Sequence, residues 1–333
     1  MARQTLAELH DLTLAVMAKS NTAPEIAQQI ADALVAAEAD GVSSHGMDRL
    51  KAYSDQALSG KVDGQMFPEI TRPAAAVIRA DARGGFAYPA INGGIDRAAE
   101  ILPETGMASI AIANSHHSGA IGLHVERLAR RGFAAFMCGN GPSGMAPWGG
   151  ERPLYGTNPI AFACPRQDAD PLVLDLALSK VARGKIKLAA DRGEAIPEGW
   201  AVDSSGQSTT DAAAAMDGWL LPIGDAKGAA LVMMVEILSA LFTGSHFGFE
   251  ASSFFTPKGD PPLIGQFMMA FDPAPMAGAA IAERMETLMT AITDQPGTRL
   301  PGARRFDLRA KAEADGVDIP DALLDDLRRR AEA

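Results

Sequence analysis

The chain has 333 residues, 41 of them acidic and 30 basic, which leaves a formal net charge of −11. A chain of this length can bury a large core and is expected to divide into two or three modules. The acidic balance argues against a general affinity for nucleic acid or for an anionic membrane, because both require a basic surface.

Cysteine content and hydropathy bear on the compartment in which the chain works. Cys138 and Cys164 both stand beside apolar neighbours, so neither a disulfide framework nor a cysteine metal site is expected. The first residues lack the unbroken apolar core of a secretory signal. The most apolar stretch, residues 229–242, is too short to cross a bilayer and predicts a buried helix. These features favour a cytoplasmic protein.

The N-terminal region predicts two helices. Thr22 can cap the first, whose apolar residues recur at helical spacing until an Asp-Gly pair breaks the pattern. Ser43 and Ser44 can cap the second, which would carry His45, Arg49 and Tyr53 on roughly one side and end near residues 59–60.

Beyond residue 70 the pattern predicts alternating strands and helices, which is typical of an α/β fold. His117 is expected at a strand-to-helix turn. Residues 139–159 are rich in Gly and Pro and are expected to cross between modules or to line a cleft. Residues 203–218 are polar and rich in turns. The strands are expected over residues 74–79, 109–113, 133–138 and 172–175, and the helices over residues 90–102, 123–132, 184–190 and 229–242.

Three of the six histidines lie in two short clusters, Ser-His-Gly at residues 44–46 and Ser-His-His-Ser-Gly at residues 115–119. The unperturbed pKa of histidine is near neutrality, so a histidine flanked by glycine can move a proton at working pH. Arg49 follows His45 by four residues, and its guanidinium fork suits a carboxylate. The clusters therefore predict acid/base chemistry on a small anion.

Residues 139–144 match the pattern G-x-G-x-x-G of a dinucleotide-binding fingerprint. That fingerprint requires a helix to begin inside it, whereas Pro142, Pro147 and the Gly149-Gly150 pair prevent helix formation here. We therefore interpret the segment as a glycine-rich crossing loop. A G-x-S-x-G elbow, an H-E-x-x-H zinc helix, a Walker loop and a C-x-x-C pair are all missing from the sequence, which disfavours hydrolase, metalloprotease and kinase functions.

Taken together, the quoted segments resemble, nearly end to end, the malate/L-lactate dehydrogenase family of NAD(P)-dependent oxidoreductases that lacks a Rossmann fold. Any one segment is a weak signal, but their shared order is specific. The segments are residues 44–46 with Arg49, 117–119, 147–150, 155–159, 175–177, 184–186, 196–201, 227–228 and 299–302.

The resemblance implies an α/β fold of the non-Rossmann malate/L-lactate dehydrogenase type, with a helical N-terminal region and a mixed-sheet cofactor-binding domain. The helical region would span residues 1–70, and the cofactor- and substrate-binding region residues 71–290, with a crossing segment near residues 139–185. Residues 291–333 would return to the N-terminal region. A homodimer that binds NAD or NADP in a cleft between domains is implied as well.

The resemblance also implies roles for individual residues, and it implies no metal. Either His45 or His117 would be the proton donor, and the choice between them stays open. The implied catalytic residues are His45, His117 and Ser44, and the substrate-binding residues are Arg49, Tyr53 and Thr157. The implied cofactor-binding residues are His117, Ser118, Gly119, Asn140, Asp175, Leu176, Ala177, Lys227, Arg299, Gly302 and Arg304.

The reaction implied is hydride transfer between a nicotinamide and C2 of a small 2-hydroxycarboxylate of the malate, lactate or 3-sulfolactate type. The alternative is NADPH-dependent reduction of a cyclic imino acid. Lys185 stands where the reductases of that kind carry an aspartate, which disfavours the alternative, and residues 249–255 look closer to the sulfolactate branch. Asp225 puts a carboxylate near the expected cofactor and leaves NAD or NADP open.

Two other classes of function are weighed against an oxidoreductase. A binding protein that kept the fold would bind the cofactor without turnover, and the retained histidine clusters disfavour it. A metal hydrolase would use His45, His116 and His117, but the adjacent histidines have poor ligand spacing.

Overall fold

The structure, a computed structural model, describes residues 1–332. A 3₁₀ turn over Ser43–His45 precedes α3, and a π-helical segment over Ile237–Leu241 continues α8. The strands are β1 (Ala2–Gln4), β2 (Glu69–Ala74), β3 (Val77–Asp81), β4 (Met107–Ser115), β5 (Ala134–Gly139), β6 (Ile160–Cys164), β7 (Leu172–Leu176), β8 (Ala201–Val202), β9 (Trp219–Leu220), β10 (Ile264–Phe271) and β11 (Val317–Ile319). The helices are α1 (Leu6–Ala18), α2 (Pro24–Ala39), α3 (Met47–Ser59), α4 (Ala87–Thr105), α5 (Ile121–Ala129), α6 (Arg183–Arg192), α7 (Ala212–Asp217), α8 (Asp225–Glu236), α9 (Ala274–Ala277), α10 (Ile281–Thr293), α11 (Ala303–Asp315) and α12 (Asp321–Glu332).

A mixed sheet of seven strands, in the order β2-β3-β4-β10-β5-β6-β7, lies at the centre of the fold. β3 and β4 pair in parallel through the crossover helix α4, whereas β10 pairs antiparallel with both β4 and β5. Parallel neighbours require such a crossover, and antiparallel neighbours do not. The mixed sheet confirms the predicted fold class.

Alternation along the strands builds the main core. In β3 and β4 every second residue points to the side covered by α4 and α5, where Ile78, Ile110 and Ile112 are fully buried. Ile91 of α4 and Val125 of α5 pack against them. The opposite face of the sheet is covered by α8 and the π-helical segment. Packing on both faces holds β4 in place. The second histidine cluster begins at the last residue of this strand, Ser115.

A second core lies among the N-terminal helices α1, α2 and α3. It contains Ile30, Leu50 and Tyr53, and the aromatic residues at the start of α4 close it towards the sheet. The C-terminal segment returns to this core, because β11 pairs with β1 and Leu324 of α12 is buried there. This packing holds α3, which carries Arg49 and Tyr53, against the end of β4.

The predicted starts of the first two helices were wrong in detail. α2 is preceded by Ala23, and the hydroxyl of Thr22 instead donates to the carbonyl of Ser20. α3 begins at Met47, so His45 lies in the 3₁₀ turn before the helix. The physical reason is Glu38, whose buried carboxylate accepts the N–H of Met47 at 2.8 Å and takes the capping role predicted for Ser44.

Four predicted segments differ from the structure because periodicity does not reveal which surfaces have a neighbour. Residues 74–79 cross the turn between β2 and β3. The strand predicted as buried at residues 172–175 is β7, which lies at the sheet edge. α7 lies within the polar residues 203–218. The helix predicted as buried at residues 229–242 buries Val232 and Val235 but exposes an apolar face, formed by Leu231, Met233, Met234, Ile237, Leu241 and Phe242.

The other predicted segments agree with the structure. Gly139 is the last residue of β5, and residues 140–159 of the crossing segment contain no helix and only isolated β-bridges, at Met145 and Tyr155. No helix begins inside the G-x-G-x-x-G pattern, as its rejection as a dinucleotide fingerprint requires. His117 follows β4 directly and precedes α5, as predicted. Within residues 1–332, none of the helices combines the length and apolar character that spanning a bilayer requires.

Candidate active site

The structure brings the two histidine clusters together. His45 comes from the turn before α3, and His117 comes from the turn between β4 and α5. Their rings stack with centroids 5.3 Å apart and planes inclined by 27°. Two imidazoles separated by 72 positions along the chain therefore share one site.

Arg49 supplies a positive charge beside the imidazole pair. Its side chain is 8% exposed, its Nη2 donates weakly to the carbonyl of Ser44 at 3.4 Å, and its Nε has no hydrogen-bond partner. The guanidinium lies over the ring of Phe255, with Cζ 4.9 Å from the ring centroid. In the described part of the chain no carboxylate lies within ion-pair distance of it. A buried guanidinium of this kind is ready to bind an external carboxylate.

Hydrogen bonds define the protonation of the His117 ring. The backbone N–H of Gly119 donates to Nδ1 at 3.3 Å, and the hydroxyl of Tyr53 lies 2.7 Å from the same nitrogen. Because a backbone N–H can only donate, Nδ1 is an acceptor, and the hydrogen of the neutral ring is on Nε2. His117 therefore has an N–H donor available on the side of the ring away from Tyr53.

Both stacked imidazoles are neutral at pH 7. Burial, assisted by the charge of Arg49, lowers the pKa of His45 to about 4. Burial also lowers the pKa of His117 well below its usual value, and the charges of Arg49, His45 and His116 add to the effect. Neutral rings beside a guanidinium leave the site with a positive charge that favours an anionic ligand.

His45 has a hydrogen-bond partner of its own. Its Nδ1 lies 3.0 Å from the hydroxyl of Ser44, which is the residue before it. The contact orients the ring of His45 and places Ser44 next to the imidazole, as its predicted catalytic role requires. That role remains a prediction.

His116 has a structural environment. It is fully buried, its Nε2 lies 2.7 Å from Oε1 of Gln56, and its carbonyl accepts from the side chain of Gln266. The same Gln56 donates through Nε2 to the carbonyl of Phe254. His116 thus ties α3 to the loop that carries Phe254, whose ring lies 5.1 Å from that of His117.

Lys61 holds the same loop and was not singled out from the sequence. It is 2% exposed, and its ammonium group donates to the carbonyls of Ser253, Thr256 and Lys258 at 2.6 to 2.9 Å. Three carbonyl acceptors around one buried ammonium fix the backbone of the loop. An isolated lysine after a helix has no sequence signal for this role.

The crossing segment is anchored by a buried carboxylate. Glu236 accepts from the side-chain amides of Asn140 at 3.0 Å and Asn158 at 2.8 Å. The second amide hydrogen of Asn140 goes to the carbonyl of His246, and its oxygen accepts the N–H of Gly265. The side chain of Asn140 is thus fully engaged, which leaves its predicted cofactor contact to the main chain. Thr157, next to Asn158, is half-buried and remains a predicted substrate contact.

Asp175, a predicted cofactor residue, meets two residues that were not in the predicted set, Gly122 and Arg305, at the start of α5. The carboxylate of Asp175 accepts the N–H of Gly122 at 2.8 Å, and Nη2 of Arg305 lies 3.8 Å from it. Burial raises the pKa of Asp175. Nη1 of Arg305 is buried and has no partner, an orphaned donor that a phosphate or ribose oxygen of a dinucleotide would satisfy. These residues therefore fit the nicotinamide cofactor that the sequence implies.

Two glycines let backbones approach each other around this group. Gly119 has φ of +67°, and a Cβ there would lie 2.6 Å from the hydroxyl of Tyr88. Gly302 has φ of +80° at the start of α11, where a Cβ would meet the carbonyl of Val173 in β7. Both positions require glycine. Ser118, between His117 and Gly119, is buried, and its carbonyl lies 2.8 Å from Nε2 of His124.

The remaining predicted cofactor residues lie at the surface except Ala177, which is half-buried. Lys227 is exposed in the first turn of α8, where the helix N-terminus favours an anion. The carboxylate of Asp225, expected near the cofactor, pairs with Nζ of Lys180 at 2.8 Å. The exposed members of the set are Leu176, Lys227, Arg299 and Arg304.

Metal-ligating side chains do not cluster. In residues 1–332, His, Cys, Asp and Glu side chains form no group of three or more that could hold a metal ion.

The fold is mixed α/β, and the site holds two stacked imidazoles and a buried arginine without a carboxylate partner. The residues around Asp175 fit a dinucleotide. These features together are those of a nicotinamide-linked oxidoreductase. A family model described as malate/L-lactate dehydrogenase matches residues 5–328. The chain belongs to the malate/L-lactate dehydrogenase family, and its cofactor is NAD or NADP.

Individual relatives cover nearly the whole chain. It is 51% identical over 329 residues to a (2R)-3-sulfolactate dehydrogenase (NADP(+)) of Chromohalobacter salexigens, with 98% of this chain and 97% of the relative covered. It is 38% identical to a Δ1-pyrroline-2-carboxylate/Δ1-piperideine-2-carboxylate reductase of Pseudomonas putida, with 98% and 96% covered. The crystal structure of a Δ1-piperideine-2-carboxylate reductase from Pseudomonas syringae superposes with a TM-score of 0.94 at 37% identity, covering 99% of this chain and 100% of the other.

Proposed function

We propose that this protein catalyses the reversible oxidation of a small 2-hydroxy acid of the 3-sulfolactate type to its 2-oxo acid, with NADP as cofactor. The observation that carries the proposal is the buried guanidinium of Arg49, which has no carboxylate partner and lies beside the stacked imidazoles. The likeness to the Chromohalobacter salexigens relative supports the substrate type and the cofactor.

In this proposal Arg49 binds the substrate carboxylate and Thr157 lines the substrate site. Tyr53, predicted from the sequence as a substrate contact, is 1% exposed and acts through the ring of His117, whose Nδ1 lies 2.7 Å from its hydroxyl. During oxidation a histidine of the pair takes the hydroxyl proton, and it returns the proton during reduction. Ser44 orients the ring of His45 through their hydrogen bond. A nicotinamide cofactor held near Asp175 and Arg305 would supply the hydride acceptor for oxidation at C2 and the hydride donor for the reverse reaction.

A second anionic group on the substrate requires a second cation. Arg183, Lys185 and Arg152 are the candidates that the sequence offers. Arg183, at the start of α6, has the most suitable environment, because its guanidinium is half-buried and donates through Nη2 to only one carbonyl, that of Met216. We propose that it faces the sulfonate or equivalent group.

The proposed cofactor contacts come from two sets of residues. The first is the cradle formed by Asp175, Gly122, Gly302 and Arg305 at the starts of α5 and α11, and the second is Lys227 with the exposed Arg299 and Arg304. The orphaned Nη1 of Arg305 supports this placement, because a buried donor without a partner is costly unless a ligand satisfies it. Arg305→Met removes this nitrogen, and we expect the dissociation constant for NADP to rise.

A substrate screen tests the proposed function. The purified protein is assayed for NADP+ and NAD+ reduction with malate, lactate and 3-sulfolactate. Preferred turnover of 3-sulfolactate with NADP+ is the expected result. Cofactor binding without turnover of any 2-hydroxy acid would contradict the proposal and favour a binding protein.

The second candidate is reduction of a cyclic imino acid, and the reductase structure with a TM-score of 0.94 is the observation that favours it. In this reaction a histidine would protonate nitrogen instead of oxygen. Lys185 argues against it, since the related reductases are expected to carry an aspartate there. NADPH oxidation measured in parallel with a 2-oxo acid and with Δ1-piperideine-2-carboxylate separates the two.

We further propose that the protein is a cytoplasmic homodimer. Each chain is proposed to consist of the three regions expected from the sequence, with boundaries at residues 70 and 290. The exposed apolar face of α8 and the π-helical segment supports the dimer, because monomers rarely expose apolar patches of this kind. Light scattering measures the assembly, and a monomeric mass would contradict it. The two free cysteines fit a reducing compartment.

A further inference from the structure

Two tyrosines connect His117 to the interior of the protein on the side away from its Nε2. The hydroxyl of Tyr53 lies 2.7 Å from Nδ1 of His117 and 3.0 Å from the hydroxyl of Tyr88. Both tyrosines are 1% exposed. We propose that Tyr88 and Tyr53 form a proton relay that recharges Nδ1 of His117 while Nε2 exchanges a proton with the substrate. The relay rests on the proposed function, since it requires an acid/base role for His117.

The hydrogen bonds give the relay a direction. Because the N–H of Gly119 also donates to Nδ1, this nitrogen is an acceptor. The hydroxyl of Tyr53 lies 2.7 Å from Nδ1 and 3.3 Å from the carbonyl of His117, and it donates its one hydrogen to the nearer Nδ1. The oxygen of Tyr53 is then free to accept, and the neighbouring hydroxyl of Tyr88 is the donor that reaches it. Tyr88 therefore donates to Tyr53, and Tyr53 donates to Nδ1 of His117.

The relay solves a proton-supply problem at the site. Burial beside Arg49 keeps the ring of His117 neutral, so an imidazolium is not the proton donor. A neutral ring can still donate from Nε2 if Nδ1 gains a proton in the same event. Burial raises the pKa of Tyr53 to about 12 and that of Tyr88 well above 10, so both hydroxyls stay protonated between turnovers.

Each proton is accounted for in the reduction direction. As hydride joins C2 and the carbonyl π bond breaks, the substrate oxygen takes the proton from Nε2 of His117. The electron pair of that N–H bond stays on the ring, and Nδ1 forms a bond to the proton of Tyr53. Tyr53 takes the proton of Tyr88, and Tyr88 takes one from water, leaving a hydroxide that bulk solvent protonates; this is the proton that the reduction consumes. The ring ends neutral as the Nδ1–H tautomer, which is the form that accepts a proton during oxidation. Before the next reduction, Nε2 takes a proton from solvent and Nδ1 returns its proton along the tyrosines, which restores the Nε2–H form that the N–H of Gly119 favours.

A cavity beside Tyr88 provides the water. It has a volume of about 770 Å³ and lies between α2, α4 and α5. That volume holds many waters at roughly 30 Å³ each. Its walls are polar, since Gln29, Asp32, Asn92 and Asp96 line it, and the carboxylates of Asp32 and Asp96 are at least half exposed. Tyr88 is among the residues that line the cavity, whereas Arg49, His45 and His117 are not, so we take the cavity as the route by which solvent protons reach Tyr88 without passing through the substrate site.

Charged and titratable groups surround the relay on each packed element. Arg49 of α3 and His45 lie on the substrate side, and His116 lies below the ring of Tyr53, with centroids 5.8 Å apart. His124 of α5 packs 6.1 Å from the ring of Tyr88. Arg127 lies across the cavity. None of them forms a hydrogen bond to the hydroxyl of Tyr88 in the described residues, so the link to Tyr53 is the specific one.

Tyr88→Phe tests the relay, because it removes one hydroxyl and keeps the ring. The single-turnover rate of 2-oxo acid reduction, followed by NADPH absorbance, is expected to fall at least about tenfold, while KM changes less than about twofold. In mixtures of light and heavy water, the wild-type rate should depend on deuterium content along a curve, which several transferred protons produce. The dependence should become linear in Tyr88→Phe.

Ser20→Ala is the matched control, because it removes another buried hydroxyl, which donates to Ser54 at 2.8 Å in the same helical core. Its rate and deuterium dependence should equal those of the wild type. A wild-type rate in Tyr88→Phe, or an unaltered curved deuterium dependence, would overturn the relay.

Nitrogen NMR of histidine-labelled protein gives a readout that needs no turnover. The signal of His117, assigned by its loss in His117→Gln, should show a neutral ring with hydrogen on Nε2. Hydrogen on Nδ1, or a charged ring at pH 7, would overturn the relay. Absence of turnover on any 2-oxo acid with the expected tautomer present would sink the proposed function and support the hydrogen-bond direction of the relay.

Discussion

Arg49 shows how much one residue determines in this site. A guanidinium that is 8% exposed and has no carboxylate partner is costly, and it persists where a ligand supplies the missing charge. Its fork can bind both oxygens of a carboxylate, which a lysine ammonium cannot do. The sequence predicted this use of Arg49 from its spacing to His45. The structure adds that no carboxylate of the described residues pairs with its guanidinium.

Arg49→Lys tests the carboxylate contact. Loss of one charge-assisted hydrogen bond costs about 1.5 to 3 kcal/mol, so KM for the 2-hydroxy acid is expected to rise roughly tenfold to a hundredfold. The cofactor KM should stay unchanged. Initial-rate kinetics measure both, with Arg72→Lys on the exposed strand β2 as the control. An unchanged substrate KM would remove Arg49 from the substrate site.

His117→Ala and His45→Ala decide which imidazole is the acid/base. The one that exchanges the proton should lower kcat by roughly two to four orders of magnitude, because general acid–base catalysis contributes that much. Its stacked neighbour should lower kcat less. Steady-state turnover measures both variants, and His10→Ala, on α1, is the control. Equal, small effects of both replacements would contradict a histidine acid/base.

Some residues of the site were accessible from the sequence and others were not. His45, Arg49 and His117 stand in short motifs whose residue types point to chemistry by themselves. Gln56 and Lys61 act through contacts to residues nearly 200 positions away, which local pattern cannot reveal.

At the scale of elements, the same limit explains the errors in the fold. Strand β10, which lies between β4 and β5, follows them by more than 120 positions, so its place at the sheet centre is a tertiary fact. The start of α3 depends on Glu38 of α2, which takes the cap that Ser44 was predicted to provide. The helices α4, α5 and α6 were predicted because each is set by its own periodicity.

The loop that carries Phe254 and Phe255 depends on a single buried ammonium. Lys61→Met keeps most of the side-chain volume but removes three hydrogen bonds to loop carbonyls. We expect faster amide exchange across residues 252–259 and a several-fold higher substrate KM, because Phe255 packs on Arg49. Hydrogen exchange and initial rates measure the two effects.

Lys51→Met, on the exposed side of α3, is the control for that experiment. Its exchange in the loop should match the wild type. If Lys61→Met also left loop exchange unchanged, the ammonium would not be what orders the loop.

At the scale of the whole molecule, the acidic chain concentrates positive charge where it is needed. The net charge is −11, yet Nε of Arg49 and Nη1 of Arg305 are buried without a hydrogen-bond partner. In the proposed function, local guanidinium groups hold the anionic ligands, and the overall field does not. The buried histidines, in contrast, are neutral, since protonating them would add charge to the interior.

These histidines make the stability of the protein depend on pH. Burial lowers the pKa of His124 to about 4 in the folded protein, against about 6.5 when the chain is unfolded. Between pH 6.5 and 4 the unfolded chain therefore binds the additional proton, so this residue lowers stability as pH falls through that window. Buried Asp40, Asp175 and Glu236, whose pKa values are raised, act in the opposite direction. Comparing variants at the same pH isolates the histidine contribution.

His124→Gln removes one such proton while it keeps a polar side chain that can reach the carbonyl of Ser118. The free energy of unfolding of the variant should fall less steeply with decreasing pH than that of the wild type, by up to about 1.4 kcal/mol per pH unit within the window. Denaturant unfolding at several pH values measures the two slopes. Above pH 7 the slopes should coincide, because His124 is then neutral in both states. Parallel slopes throughout would mean that His124 binds its proton equally in the folded and unfolded chain, which would contradict the lowering of its pKa by burial.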